Sequence, residues 1–192
     1  MTHAEFLAPA PARRRKHAAD TVPPALATLI DELDAACAEG VIGGRIVTAL
    51  KQAAARADVL TADQCIAQAG CYARHAIYSD PSGRFTIVAI VWGGGQFSPT
   101  HAHHAWCAYA VHEGTLQETL YAWDGSRDSA SGRALPLRTE VRSPGYGCYA
   151  PAGLDQIHRL GNAGTEPAIS IHVYGVERER IATHVNRVVQ VG

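Results

Sequence analysis

Paired cysteines are lacking in this sequence, and their absence excludes two classes of small protein. The 192 residues include five cysteines, an odd number, and no two of them form a CxxC pair. A disulfide framework or a zinc ribbon depends on such pairs, so we expect neither. Free thiols persist in a reducing compartment, and the expected location is therefore the cytoplasm.

An excess of charge of one sign is also lacking. Seventeen Lys and Arg residues against 18 Asp and Glu residues leave a formal net charge of −1. This balance excludes a broadly basic surface for nucleic acid and an acidic disordered tail. No apolar run is long enough to span a bilayer, and the N-terminus has no apolar signal-peptide stretch, so we expect no membrane partner. The expected assembly is a monomer or a small homo-oligomer.

The first third of the chain has the pattern of helices. Residues 1–20 carry two Ala-Pro steps and a short basic run, which indicates a mobile arm. Residues 21–70 then repeat apolar side chains at steps of three and four, starting with Leu26, Leu29 and Leu33. A glycine pair at Gly43 and Gly44 separates the first helix from an Ala-rich second one over residues 45–56.

Near residue 71 the pattern changes to that of strands. Residues 71–192 are rich in Val, Ile, Tyr and Trp and are interrupted by frequent Gly or Pro. We predict strands over residues 85–92, 101–111, 115–123, 145–150 and 169–174. Many short strands with frequent turns favour a mainly β sandwich or small barrel over a parallel α/β sheet. We therefore expect residues 21–192 to form one domain with a helical start and a β-barrel body.

Histidine is abundant, with ten residues in the chain, and three of them form a candidate metal site. His101 and His103 are separated by one residue, so on a strand both imidazoles point to the same face. His158 lies 55 residues beyond His103 and could come from a neighbouring strand. Three neutral imidazoles meeting inside a barrel suit a divalent transition metal.

The residues around these histidines resemble the two motifs of the cupin superfamily. Gly95, His101, His103 and Gly114 have the spacing of the first motif. The stretch from Gly145 through Pro151 and Gly153 to His158 and Asn162 is similar to the second motif, with two extra residues before the histidine. Cys107 stands where the pattern usually has a glutamate ligand. The resemblance therefore implies a cupin with three histidines and no carboxylate ligand.

A cupin of this kind resembles the thiol dioxygenases, whose type member is cysteine dioxygenase. Three further stretches carry the likeness: Tyr72-Ala73-Arg74, the run Gly114 to Leu120, and the run Thr165 to Tyr174. The resemblance implies that Arg74, helped by the Tyr72 hydroxyl, holds a substrate carboxylate.

The last of these stretches implies the catalytic residues. Its counterpart in the family is an outer-sphere chain, here Ser170, His172 and Tyr174, with the tyrosine hydroxyl near the iron. Alternate residues on a strand face the same way, which permits a hydrogen-bond relay. Cys107 would be the partner of Tyr174 in a thioether crosslink, and on an unbroken strand it would face the same side as His101 and His103.

The implied reaction is oxidation of a small thiol by O2 at Fe(II) bound by three neutral histidines. Such a site leaves open positions for a substrate thiolate and for O2. One bacterial branch prefers 3-mercaptopropionate and carries Gln and Gly at the positions of Arg74 and Cys107, so this chain resembles the arginine-bearing, cysteine-oxidising branch. L-cysteine is the favoured substrate, although His75 replaces the family's usual Asn. 3-Mercaptopropionate and mercaptosuccinate stay open, as does a non-catalytic metal-binding cupin sensor; the missing glutamate ligand disfavours a zinc or manganese isomerase.

Overall fold

A computed structural model describes residues 22–125 and 132–192, so the expected N-terminal arm lies outside the described residues. Two helices form the first part, α1 (Pro24–Glu39) and α2 (Gly44–Ala54), and a third, α3 (Ile181–His184), lies near the C-terminus. Helix α1 ends at Gly40, whose positive φ of 68° suits a residue without a Cβ. A 3-10 turn over Ala62–Cys65 follows α2.

Ten strands follow in the described part of the chain. They are β1 (Ala73–Ser79), β2 (Thr86–Trp92), β3 (His101–His103), β4 (Cys107–Glu113), β5 (Leu116–Asp124), β6 (Arg133–Arg142), β7 (Gly147–Ala150), β8 (Gly153–Gly161), β9 (Ala168–Tyr174) and β10 (Asn186–Val188).

The strands form two five-stranded sheets in which all the pairings between strands are antiparallel. The first sheet has the order β1-β2-β9-β4-β7, and the second has the order β10-β3-β8-β5-β6. The predicted mainly β fold of cupin type is therefore confirmed. The division into one domain with an N-terminal arm stays a prediction.

The predicted single strand over residues 101–111 is wrong. The chain forms β3 in the second sheet, leaves the ladder at residues 104–106, and enters the first sheet as β4. The break is held by two backbone hydrogen bonds, from His104 N–H to the Val185 carbonyl and from Gly175 N–H to the Trp106 carbonyl. A run of apolar and aromatic residues shows no sign of this change of sheet, because each half by itself has the composition of a strand.

Helices α1 and α2 cover the outer face of the first sheet. Leu29, Leu33, Ile46 and Leu50 are fully buried and belong to one apolar cluster with alternate residues of β2, β4 and β9. The other alternate residues of the same strands, such as Ile90, belong to a second cluster inside the barrel. Strands β2 and β9 are thus buried on both faces, which explains their nearly continuous apolar sequence.

No helix within the described residues has both the length and the apolar character needed to cross a bilayer.

Candidate metal centre and substrate cavity

The three predicted ligand histidines lie together inside the barrel. His101 and His103 are on β3, and His158 lies directly opposite His101 on the neighbouring strand β8. One ring nitrogen of each residue lies within 4.8 Å of the others, and all three side chains are buried. The described residues therefore bring together donors from two strands that are far apart in sequence.

Hydrogen bonds orient two of the imidazole rings. His101 Nδ1 lies 2.8 Å from the Pro99 carbonyl oxygen, and His158 Nδ1 lies 2.7 Å from Glu118 Oε1. Both acceptors require a proton on Nδ1, which leaves Nε2 of each ring with a free lone pair. Both rings can therefore present Nε2 to a metal.

Burial keeps the His101 and His103 rings neutral. It is the largest cause lowering the pKa of His101 well below its usual value, and it lowers the pKa of His103 to about 3. The neighbouring histidines act in the same direction. A buried set of three imidazoles with ring nitrogens close together is donor chemistry that suits a divalent transition metal, so these residues fit such an ion.

A hydrogen-bond chain runs along the inner face of β9. Ser170 Oγ lies 2.8 Å from His172 Nε2, and the Tyr174 hydroxyl lies 3.2 Å from His172 Nδ1. Trp92 extends this chain, because its Nε1–H donates to Ser170 Oγ over 2.9 Å.

The direction of this chain follows from its donors. Burial lowers the pKa of His172 well below its usual value, so the ring is neutral and carries one proton. Ser170 accepts from Trp92, and in the tautomer with the His172 proton on Nδ1 the Ser170 proton is donated to His172 Nε2. The His172 proton then lies on Nδ1 and is donated to the Tyr174 oxygen. The Tyr174 hydroxyl proton is therefore free to point toward the cavity.

Arg74 and Tyr72 form a second polar group beside the histidines. Arg74 Nη2 donates to the Tyr72 hydroxyl over 2.8 Å, and the guanidinium carbon lies 5.0 Å from the centre of the Tyr72 ring. The Tyr72 ring in turn packs on Trp92, with ring centres 4.5 Å apart. Tyr72, itself packed on Trp92, thus holds an arginine whose remaining N–H donors can bind an anion.

Cys107 and Tyr174 are directly opposite each other on the paired strands β4 and β9. Side chains at opposite positions of an antiparallel pair have Cβ atoms about 4.5–5.5 Å apart. The Cys107 side chain still faces the barrel interior although the predicted unbroken strand is wrong. The thiol is free and buried, and burial raises its pKa well above the usual value.

Most of these groups line one small cavity of about 20 Å³. A cavity of this size has room for about one water molecule. The lining residues are Tyr72, Arg74, Ile90, Trp92, Ser98, His101, His103, Cys107, Tyr109, His158, Leu160, His172, Tyr174 and Asn186. Ser170 is not among them and reaches the cavity only through His172.

Several residues near the site were not predicted to have a role there, among them four polar ones. Glu118 and Arg142 stand behind His158, and Tyr109 and Asn186 line the cavity. Glu118 lies in the sequence stretch that resembles the thiol dioxygenases, which was a usable signal. The other three carry no local signal, because strand pairing alone brings them to the site.

Two further histidines, near His101 and His103 in the sequence, lie away from the cavity. His104 is exposed, and His112 Nδ1 lies 2.7 Å from the Ala54 carbonyl oxygen at the end of α2.

The fold and the site together define a cupin-type β-barrel protein with a candidate three-histidine metal centre. The model of the family described as cysteine dioxygenase type I matches residues 20–185. The chain belongs to this family.

Curated relatives give the same assignment at moderate identity. The chain is 32% identical to cysteine dioxygenase type 1 of Homo sapiens over 95 residues, which is 48% of this chain and 46% of the human protein. It is also 32% identical to the Danio rerio protein over 105 residues, which is 54% of this chain and 50% of that protein. The matched part thus spans about half the length of the curated relatives.

Solved structures overlap in part with this fold. A conserved protein with a double-stranded beta-helix domain from Klebsiella pneumoniae has a TM-score of 0.44 and 18% identity, covering 64% of this chain and 93% of its own. The protein TT1209 from Thermus thermophilus has a TM-score of 0.43 and 18% identity, covering 59% of this chain and 91% of its own.

Proposed function

We propose that the protein is an Fe(II)-dependent thiol dioxygenase that converts a small thiol-carboxylate to a sulfinic acid. L-cysteine is the first candidate substrate, and 3-mercaptopropionate and mercaptosuccinate are the alternatives. The observation that carries the proposal is the meeting of three histidines, an arginine and a serine-histidine-tyrosine chain in one small cavity. A cupin that only binds a ligand has no need of the hydrogen-bond chain.

The overall reaction balances without a further reductant. A thiolate and one O2 give a sulfinate, so both oxygen atoms end on sulfur and O2 takes all the electrons from it. The iron would be held by His101, His103 and His158. When bound, it supplies coordination sites for the thiolate and O2 and lets electrons pass from one to the other. The partners are therefore the small thiol and O2, and the cytoplasmic location stays a prediction.

Arg74 would orient the substrate through its carboxylate. A guanidinium offers parallel N–H donors that match the two oxygens of a carboxylate. One of its nitrogens already binds the Tyr72 hydroxyl, and this hydroxyl can itself donate to the same carboxylate. Holding one end of a short substrate in this way places its sulfur toward the histidines.

The Ser170–His172–Tyr174 chain would present the Tyr174 hydroxyl as a hydrogen-bond donor to the reacting oxygen. Donation from His172 to the tyrosine oxygen fixes this hydroxyl in place before reaction, so no reorganisation is needed. The Tyr174 pKa is raised, mainly by burial, which keeps the proton on the hydroxyl at neutral pH.

The family resemblance also leads us to propose the Cys107–Tyr174 thioether. A bond between Sγ and the ring carbon next to the hydroxyl would release two protons and two electrons, with O2 as the acceptor. The directly opposed positions on β4 and β9 support the pairing. Intact mass would decrease by two hydrogens.

Oxygen consumption by the anaerobically Fe(II)-loaded protein tests the proposal. We expect uptake that depends on thiol, with one O2 consumed for each sulfinate identified by mass, and we expect L-cysteine to have the highest kcat/KM. His103→Ala is expected to abolish iron binding and uptake, whereas the control His104→Ala, with an exposed neighbouring ring, keeps both. Iron-loaded protein that consumes no O2 with any of the three thiols would contradict the proposal and indicate a binding cupin.

A further inference from the structure

A buried carboxylate stands directly behind the candidate metal centre. Glu118, on β5, is only 2% exposed. Its Oε1 accepts the His158 Nδ1 proton over 2.7 Å, and its Oε2 accepts from Arg142 Nε over 2.8 Å. We propose that Glu118 and Arg142 are a positioning pair whose opposite charges set how tightly His158 binds the metal. This inference deepens the proposed function, since it concerns the same centre.

Glu118 would strengthen the His158 donor. A carboxylate that accepts the Nδ1 proton fixes the ring orientation and its tautomer and makes Nε2 more basic. Its negative charge also attracts a dication through an interior of low dielectric constant. This effect matters because Cys107 stands where other cupins have a glutamate ligand. The negative charge is then supplied by Glu118, which binds the ligand His158 and not the metal.

Arg142 would weaken His158 as a metal ligand. Its side chain is 12% exposed and is held from three sides: Nε binds Glu118, Nη1 pairs with Glu140, and the guanidinium carbon lies 4.1 Å from the centre of the Tyr146 ring. A fixed cation on Oε2 draws electron density from the carboxylate and weakens its pull on the His158 proton. The two partners of a purely structural ion pair would not have opposite effects on metal affinity. Loss of either one would disturb the site and lower the affinity.

Zn(II) affinity, measured by competition with a chelator in the absence of thiol, separates these two roles. Glu118→Gln keeps the shape and a hydrogen-bond acceptor but loses the charge, and we expect the affinity to fall about 10- to 100-fold. Arg142→Met removes the balancing cation, and we expect the affinity to rise. Glu140→Gln is the matched control: it removes the other partner of Arg142, leaves Glu118 in place, and should leave the affinity unchanged.

The His158 Nδ1 proton gives a second readout by NMR of the Zn(II)-loaded protein. Its resonance should move upfield in Glu118→Gln and downfield in the arginine variant, following the strength of the hydrogen bond. If Arg142→Met does not fold, Arg142→Gln replaces it with the same expectation. Wild-type affinity in Glu118→Gln, or an affinity that is unchanged or lower in the arginine variant, would overturn the proposal. Failure of thiol oxidation would leave these Zn(II) measurements unaffected.

Discussion

Arg74 carries the one permanent positive charge among the described residues that line the cavity. Its position explains why a carboxylate substrate is expected, because a guanidinium beside the cavity can bind an anion. The Tyr72 hydroxyl and ring hold the guanidinium at the cavity while leaving its other donors free.

Arg74→Ala should therefore raise KM for L-cysteine while iron content stays unchanged. Hydrogen bonds to charged groups are worth about 1.5–3 kcal/mol, which corresponds to a rise of roughly 10- to 150-fold. The measurement is steady-state O2 uptake. Cysteamine, a thiol without a carboxylate, is the comparison substrate, and its KM should change little. Arg138→Ala, an exposed arginine on β6, is the control. An unchanged KM for L-cysteine would exclude Arg74 from substrate binding.

At the scale of elements, an ion pair fastens the first helix to the sheet it covers. Asp80 follows β1 and accepts hydrogen bonds from Arg84 Nε and Nη2 over 2.8 Å each. Arg84 Nη2 also lies 2.6 Å from Asp34 Oδ1 on α1. The β1–β2 turn and the helix are thus joined through one guanidinium.

This arrangement makes folding stability depend on acid pH. The hydrogen bonds from Arg84 are the largest cause lowering the Asp80 pKa to about 2, from an ordinary value of 3.8. A lowered folded-state pKa means that the stabilisation is complete above about pH 4 and is lost as the pH falls toward 2. The amount is on the order of 2 kcal/mol.

Urea unfolding of Asp80→Asn at pH 7, 4, 3 and 2 checks this expectation. The variant should be less stable than the wild type at pH 7, and the difference should shrink toward pH 2. Asp58→Asn is the control, because the Asp58–Arg56 pair is exposed and contributes little. A difference that stays constant across this range would show that the Asp80 charge does not contribute.

For the whole molecule, the candidate metal centre joins two parts of the chain that are far apart in sequence. β3 is only three residues long and pairs with β8 and β10. A metal held by both β3 and β8 binds the folded state and not the unfolded one, so it stabilises the whole fold by mass action.

Thermal unfolding with Zn(II), or with Fe(II) under anaerobic conditions, should therefore show a rise in Tm. At a free metal concentration 100 times Kd the expected gain is about 2.7 kcal/mol. His103→Ala should lose this gain, and His104→Ala should keep it because its ring is exposed and outside the cluster. An equal gain in both variants would place the metal elsewhere.

Much of the fold could be predicted from the sequence because its signals are local. The helical spacing of Leu26, Leu29 and Leu33 predicted α1, and all three side chains are buried. The strand signal of residues 85–92 predicted β2, and residues 169–174 predicted most of β9. The change of sheet at residues 104–106 was missed, since it depends on partners at Val185 and Gly175 that lie far along the chain.

By itself, the sequence determined which side chains share a face wherever one strand carries them all. Ser170, His172 and Tyr174 alternate on β9, and a period of two residues places them together whatever the strand pairs with. Only the tertiary structure decided what meets across strands: His158 against His101, Glu118 behind His158, and Cys107 opposite Tyr174. These pairings depend on strand register, which is set by contacts between residues far apart in the chain and has no local signature.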